Sequence, residues 1–188
     1  MKFRTRDMIL VALFSALMTV GAYIKVLFPL VPFSLQPFFC AFAGILLGSR
    51  LGALSQIIYI AIGLTGVPVF TQGGGPAYIL KPSFGYLLGF IAGAYVIGKV
   101  SEFLKEINYR NTLLSVLSGL FAINLIGVPY LYLITRFYMR NPDMTIIYAI
   151  STGFLPFIIK DLFLYIIVAA AACRIVPILR KAGFMPVK

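Results

Sequence analysis

Long apolar runs, interrupted by short clusters of proline, glycine and charge, organise this chain. The first run follows Arg4, Arg6 and Asp7 and predicts a helix over 7–27. Pro29 and Pro32 close it, because proline lacks an N–H donor and clashes inside a helix. A second helix is predicted over 37–48, with Pro37 in the first turn, where its missing donor costs little. A tight turn at Gly48-Ser49-Arg50 separates it from a third helix over 51–64. Both are short against the roughly 20 residues that cross a bilayer. One of them is therefore expected to tilt or to begin within the preceding loop. A Gly/Pro-rich segment, 65–83, leads to a fourth helix over 84–100, and a charged stretch, 101–111, to a fifth over 112–134. Arg136, Arg140, Asn141, Pro142 and Asp143 mark the next loop. A short surface helix over 145–152 and a sixth long helix over 156–176 complete the pattern. Strict alternation, the mark of a membrane barrel, does not occur in these runs.

Composition decides what the runs face. Of 188 residues, 61% are hydrophobic and 11% charged, and the mean hydropathy is +1.01. A soluble domain is about half apolar and a quarter charged, and one this size still exposes much of its surface. The solvent of this chain is lipid. The expected fold is all-α and integral to the membrane: a six-transmembrane-helix bundle with a Gly-rich extracellular loop between helices 3 and 4. Residues 1–188 are expected to form one transmembrane domain, with no room for a second, soluble one. The N-terminal Lys2, Arg4 and Arg6 before an apolar run imitate a signal peptide. The run continues without a small-x-small cleavage pattern, so it is read as a retained first span.

The net charge is +11, yet the positives lie between apolar runs, which argues for membrane loops and against a nucleic-acid partner. With the N-terminus inside, eleven of the sixteen Lys/Arg fall on the inner side. These are Lys2, Arg4, Arg6, Arg50, Lys99, Lys105, Arg110, Arg174, Arg180, Lys181 and Lys188. The bias places both termini in the cytoplasm, which requires an even number of spans. Cys40 and Cys173 both lie in apolar runs, with no sign of a disulfide or metal site. There is no histidine, so the commonest general base and metal ligand is missing. Gly93-Ala94-Tyr95-Val96-Ile97-Gly98-Lys99-Val100 approaches a phosphate-binding loop, but Val100 replaces the required Ser/Thr and no strand precedes it. No enzyme, cofactor or ATPase is expected within this chain. A binding subunit is the natural reading.

Four features could carry binding. The outer loop contains Phe70-Thr71-Gln72-Gly73-Gly74-Gly75-Pro76. Glycine lets backbone N–H groups such as those of Gly74 and Gly75 approach a ligand closely. A flexible connector is the plainer alternative, but the flanks are apolar and aromatic, and favour a lid folded on the bundle. Lys160-Asp161 stands near the outer start of the last helix. Ionisable groups at membrane depth usually face the bundle interior or a wet cavity. Adjacent helix residues point about 100° apart, so both reach one spot only if the lysine bends. Asp161 either accepts ligand N–H groups or simply pairs with a lysine, while Lys160, Lys25 or Lys81 would meet a ligand carboxylate. Gln36, Gln56, Tyr59, Ser83, Tyr86 and Asn124 interrupt apolar spans, as helix-to-helix hydrogen bonds or as the lining of a pocket, with Asn124 the deepest and weakest candidate. Ala12 and Ala16, four apart, permit close approach of another helix, within the bundle or from a separate subunit.

These motifs together resemble a known family. Val31-Pro32-Phe33-Ser34-Leu35-Gln36, Gly44-Ile45-Leu46-Leu47-Gly48 and Gly52-Ala53 resemble the pattern around helices 2 and 3 of BioY, the biotin-specific S component of energy-coupling factor (ECF) importers. Gly63-Leu64-Thr65-Gly66-Val67-Pro68-Val69-Phe70, the glycine run and Lys81-Pro82-Ser83-Phe84-Gly85-Tyr86 are similar to that family's signature. Phe154-Leu155-Pro156-Phe157 with Lys160-Asp161 is similar to its last-helix motif. The lysine that the family often carries three residues after the aspartate is Leu164 here. The resemblance implies six helices and biotin held near the extracellular side, under the loop after helix 3. It also implies ATP-driven uptake by a transmembrane coupling subunit, docked on helix 1 through Ala12 and Ala16, with two ATP-binding subunits. On that reading the substrate-binding residues are Asp161, Lys160, Tyr86, Gln36, Gln56, Gly74, Gly75, Ser83, Lys81 and Phe70. The rivals are an S component for riboflavin or thiamine, an intramembrane enzyme, and a scaffold, which a cavity too small for a vitamin would favour.

Overall fold

Five helices of the computed structural model are long and apolar enough to cross a membrane. The structure describes residues 4–26 and 30–181, the side chain of Arg180 excepted. The expectations placed on Lys2, Leu27, Pro29 and Lys188 fall outside these residues. Helix α1 spans Thr5–Tyr23, four residues short of its expected end. The chain leaves it because Lys25–Val26 pairs antiparallel with Phe33–Ser34, β1 with β2, in the register Lys25 to Ser34 and Val26 to Phe33. Backbone groups in apolar surroundings must be paired, and this short ribbon pairs some of those the helix would otherwise hold.

Helix α2, Gln36–Leu64, contains the two short helices expected on either side of Gly48. Its arms, 36–47 and 49–64, are antiparallel. Gln36 Nε2 donates to Tyr59 Oη at 2.9 Å, whereas a straight helix would hold these residues about 35 Å apart at 1.5 Å per residue. A Cβ on Gly52 would likewise lie 3.0 Å from the Ala43 carbonyl oxygen. The reversal sits at Gly48, whose φ of 80° and ψ of −178° belong to a region almost closed to residues with a Cβ. A side chain there would also meet Glu102 Oε1 at 2.7 Å. Glu102 in turn accepts from Ser49 N at 2.8 Å and from Ser49 Oγ at 3.0 Å. Its charge thus satisfies the N-terminus of the second arm, where a helix carries free donors and a partial positive charge.

Helix α3, Phe84–Leu104, runs four residues past its expected end and brings Glu102 to this turn. It packs between α2 and α4, Tyr109–Leu133. Gly85, Gly89 and Gly93, four residues apart, let α4 approach closely; a Cβ on Gly89 would lie 2.7 Å from the Ile123 carbonyl oxygen. Small residues at this spacing are the usual means of packing helices in lipid. Asn108 caps α4 by accepting from Asn111 N. Past Pro129 the helix loosens into a π turn, Ile134–Tyr138. The short helix α5, Ile146–Gly153, is capped by Thr145 as its sequence suggests. Helix α6, Leu155–Lys181, extends five residues beyond the expected end.

Large apolar side chains such as Phe103, Phe121, Ile147 and Ile159 are mostly exposed, as lipid-facing residues are. The core has two parts. One gathers aromatic residues at the end where α1 finishes and α3 begins, and the other gathers smaller residues around Ile97, Val116 and Val168. The Gly48 turn predicts a specific cost. Gly48→Ala should lower stability by about 1–3 kcal/mol, read as a lower denaturant midpoint in detergent. An unchanged midpoint would show that the reversal does not depend on this glycine.

Candidate functional site

At the aromatic end the loop 65–83 folds back onto the helices as a lid. Gly75 N donates to the Gly63 carbonyl at 2.7 Å, and Phe70 N to Gly73 O at 2.9 Å. Phe70 inserts its ring against Gly63 and between Tyr59 and Tyr78, with centroid distances of 5.4 and 4.5 Å. Tyr23 Oη donates to Pro68 O at 2.6 Å, Lys25 Nζ to Thr71 O, Lys81 Nζ to Gln72 O at 3.0 Å, and Tyr130 Oη to Ile79 O. The three-glycine segment serves the lid's own backbone: Gly73 and Gly75 take φ of 105° and 102°.

Beneath the lid lies a cavity of about 40 Å³, room for about three waters. Asp161, Lys160, Tyr86, Gln36 and Ser83 of the expected site residues line it, joined by Ser34, Thr71, Tyr78, Phe90, Asn124 and Phe157. Gln56 is fully buried elsewhere, donating to Ser55 Oγ. Phe70, Gly74, Gly75 and Lys81 shape the lid but are not among the residues that line the cavity in this closed form. Asn124 was expected to lie too deep, yet it reaches the wall because it stands mid-way along α4, where the cavity ends. Tyr78 and Thr71 had no signal of their own in the sequence. They enter because the Pro76–Leu80 3-10 turn brings Tyr78 Oη within 3.0 Å of Thr71 Oγ1 and 3.3 Å of Ser83 Oγ.

The lysine does bend. Lys160 Nζ lies 2.8 Å from Asp161 Oδ1 and donates to the Ser34 carbonyl at 2.9 Å. It also lies over the Phe33 and Phe157 rings, which meet at a tilt with centroids 4.4 Å apart. Lys160 is thus the partner of Asp161 Oδ1, as an ion pair rather than a well-aligned hydrogen bond. A continuous string of contacts results. Tyr59 Oη donates to Val69 O in the lid and accepts from Gln36 Nε2. Gln36 Oε1 accepts from Ser34 Oγ at 3.0 Å, and Ser34 O accepts from Lys160. Tyr86 completes the wall, donating to Gly153 O at 2.6 Å and stacking 6.4 Å from Phe157. Ala12 and Ala16 are exposed on α1, where Ala12 borders a surface groove of about 240 Å³ with Met8, Val11, Leu54 and Ile58.

Long apolar helices closed at one end by a lid, over a cavity with a buried carboxylate, define a membrane protein built to hold a small solute at one face. The chain belongs to the BioY family, which it matches over residues 1–181. It is 42% identical over 178 residues to a probable biotin transporter BioY of Lysinibacillus sphaericus, covering 95% of this chain and 90% of that one. It is 37% identical to a biotin transporter BioY of Thermotoga maritima, covering 90% and 95% of the two chains. A crystal structure of the S-component for biotin from an ECF-type ABC transporter superposes with a TM-score of 0.78 at 26% identity, covering 96% of this chain and 95% of that one.

The string predicts how the lid is held. A membrane side-chain hydrogen bond contributes about 0.6 kcal/mol, so Tyr59→Phe should raise amide hydrogen exchange in 66–75 about threefold while the helices keep their protection. Exchange equal to that of the unmodified protein would mean the lid is held by its packing alone.

Proposed function

We infer that this chain is the biotin-binding S component of an ECF importer. It captures biotin at its lidded face and delivers it with a transmembrane coupling subunit and two ATP-binding subunits. The observation that carries the reading is Asp161, a buried carboxylate on a largely apolar cavity in a chain of the BioY family. Biotin's ureido ring carries two N–H donors, and a buried carboxylate is their natural acceptor. Hydroxyls of Ser83 and Tyr78 in the same wall can donate to the ring carbonyl. Tyr86, Phe90 and Phe157 suit the thiophane ring and alkyl chain. Of the three lysines considered for the ligand carboxylate, Lys160 borders the cavity, whereas Lys25 and Lys81 are engaged with lid carbonyls. Apolar walls with a few fixed polar groups are typical of small-molecule sites.

The cavity is far smaller than the roughly 300–1,000 Å³ of ligand sites, and taken alone it would suit a scaffold. Family membership outweighs this, and Lys160, which lines the cavity, has a long side chain that can swing. The closed cavity is read as the form before ligand enters. Counting α2 as two crossings makes six with α1, α3, α4 and α6. The even number returns the C-terminus to the N-terminal side. Arg50, Lys99, Lys105, Arg110 and Arg174 gather at the end opposite the lid, which makes that end cytoplasmic by the positive-inside rule and the glycine-rich loop extracellular. The exposed Ala12 and Ala16 face of α1 is the proposed seat of the coupling subunit.

Calorimetry should show one-to-one biotin binding, no riboflavin or thiamine binding, and at least tenfold weaker biotin binding in Asp161→Asn. Unchanged affinity in that variant would move the ureido contact elsewhere. Topology has its own check. In intact cells a membrane-impermeant thiol reagent should label Asp143→Cys and not Lys105→Cys; the reverse pattern would invert the orientation.

A further inference from the structure

Directly below Asp161 lies a second polar atom that the reading above does not use. Tyr165 is fully buried, and its Oη has no hydrogen-bond partner among the described residues. A buried hydroxyl left unpaired is destabilising, and a phenylalanine would fill the same space without that cost. Tyr165 follows Asp161 by four residues on α6. Side chains on a helix lean toward its N-terminus, so residue i+4 lies against residue i. It packs in one core cluster with Ala41 and Phe42, the near neighbours of Cys40 on the first arm of α2. Cys40 in turn donates to the carbonyl of Phe90, a cavity residue, at 3.4 Å. The hydroxyl is therefore held under the cavity floor, between α6 and the first arm of α2. Two groups stand one helical turn apart: a carboxylate whose Oδ1 is met by Lys160 from the other side, and a phenol O–H with no acceptor among the described residues.

We propose that Tyr165 is a positioning residue for the ligand-binding carboxylate. Its O–H donates to Asp161 when a ligand N–H draws the carboxylate away from Lys160. In the closed form Lys160 holds Asp161 from the mouth side, by an oblique ion pair and through the Ser34 carbonyl. Loss of that contact would leave a buried carboxylate with only the ligand's donors. Tyr165 supplies one more from below and fixes which oxygen faces the ring. Lys160 is then free to follow the ligand carboxylate. The inference rests on the biotin reading of Asp161.

The test is a double-mutant cycle followed by calorimetry with biotin. Tyr165→Phe should weaken biotin binding about tenfold in the unmodified background and less than twofold in Asp161→Asn, because the phenol acts through that carboxylate. Equal losses in both backgrounds would show a packing role, and an unchanged affinity in the single variant would remove Tyr165 from binding. Either result overturns the proposal while leaving biotin binding itself intact. Failure of the unmodified chain to bind biotin would overturn both readings. If Asp161→Asn binds too weakly for a cycle, infrared difference spectra of ring-labelled tyrosine protein decide the matter. A biotin-induced shift of a phenol C–O band that disappears in Tyr165→Phe supports the proposal, and no such band overturns it.

Discussion

The reversal at Gly48 is the constraint on which the rest of the site depends. A 29-residue helix without it would pass straight through a bilayer and carry Gln36 and Tyr59 to opposite faces. With it, both stand at the same end, 2.9 Å apart, and the chain can enter and leave the lid from one side. The turn has a cost, because it frees helix-end donors that must find acceptors. Glu102 accepts from Ser49 twice over, which ties the turn to the far end of α3. The closeness of α3 to α4 then follows from its glycine stripe. The geometry of the lidded end is thus set by a backbone turn and a carboxylate at the other end of the bundle.

The lidded end is held differently. Its hydrogen bonds link Val69, Tyr59, Gln36, Ser34 and Lys160 in series, each worth about 0.6 kcal/mol in a membrane. The Lys160–Asp161 pair is partly open to solvent on the lysine side, which reduces its strength further. The string therefore positions more than it stabilises. A ligand that offers Asp161 two donors and Lys160 a carboxylate replaces these contacts with comparable ones, so a cavity of 40 Å³ is compatible with a function that requires a larger one. The aromatic plug is the stiffer element. Phe70 against Gly63 and Tyr78 anchors the lid by its packed ring, whereas Lys160 is held by exchangeable polar contacts to Ser34 and Asp161.

Much of this was legible before any coordinates. Asp161, Lys160, Tyr86, Gln36 and Ser83 stood out as polar groups in apolar runs, and the cavity gathers all five. Gln56 stood out for the same reason and lies elsewhere, because composition cannot say which face of a helix looks inward. Phe70, Gly74 and Gly75 belong to the loop over the cavity and do not line it in the closed form. Thr71, Tyr78 and Asn124 were unassigned or discounted, since their place depends on a 3-10 turn and on how deep the cavity runs. The glycines at 85, 89 and 93 carried a packing signal at four-residue spacing that becomes meaningful once α4 is seen against them.

By itself the sequence determined that the protein lives in lipid, that its helices lie where the apolar runs lie, that the chain turns at Gly48, and that one carboxylate stands where a charge is costly. Each of these follows from local chemistry: hydropathy over a window, the freedom of glycine, the price of an ion in a membrane. The tertiary structure alone decided that the two arms of α2 fold onto each other, that Glu102 closes the turn, that Lys160 bends to Asp161 and Ser34, and that Tyr165 waits beneath. These are contacts between residues up to 126 positions apart. Which of many possible partners a side chain meets depends on how helices rotate and cross, and that is settled by packing across the whole bundle.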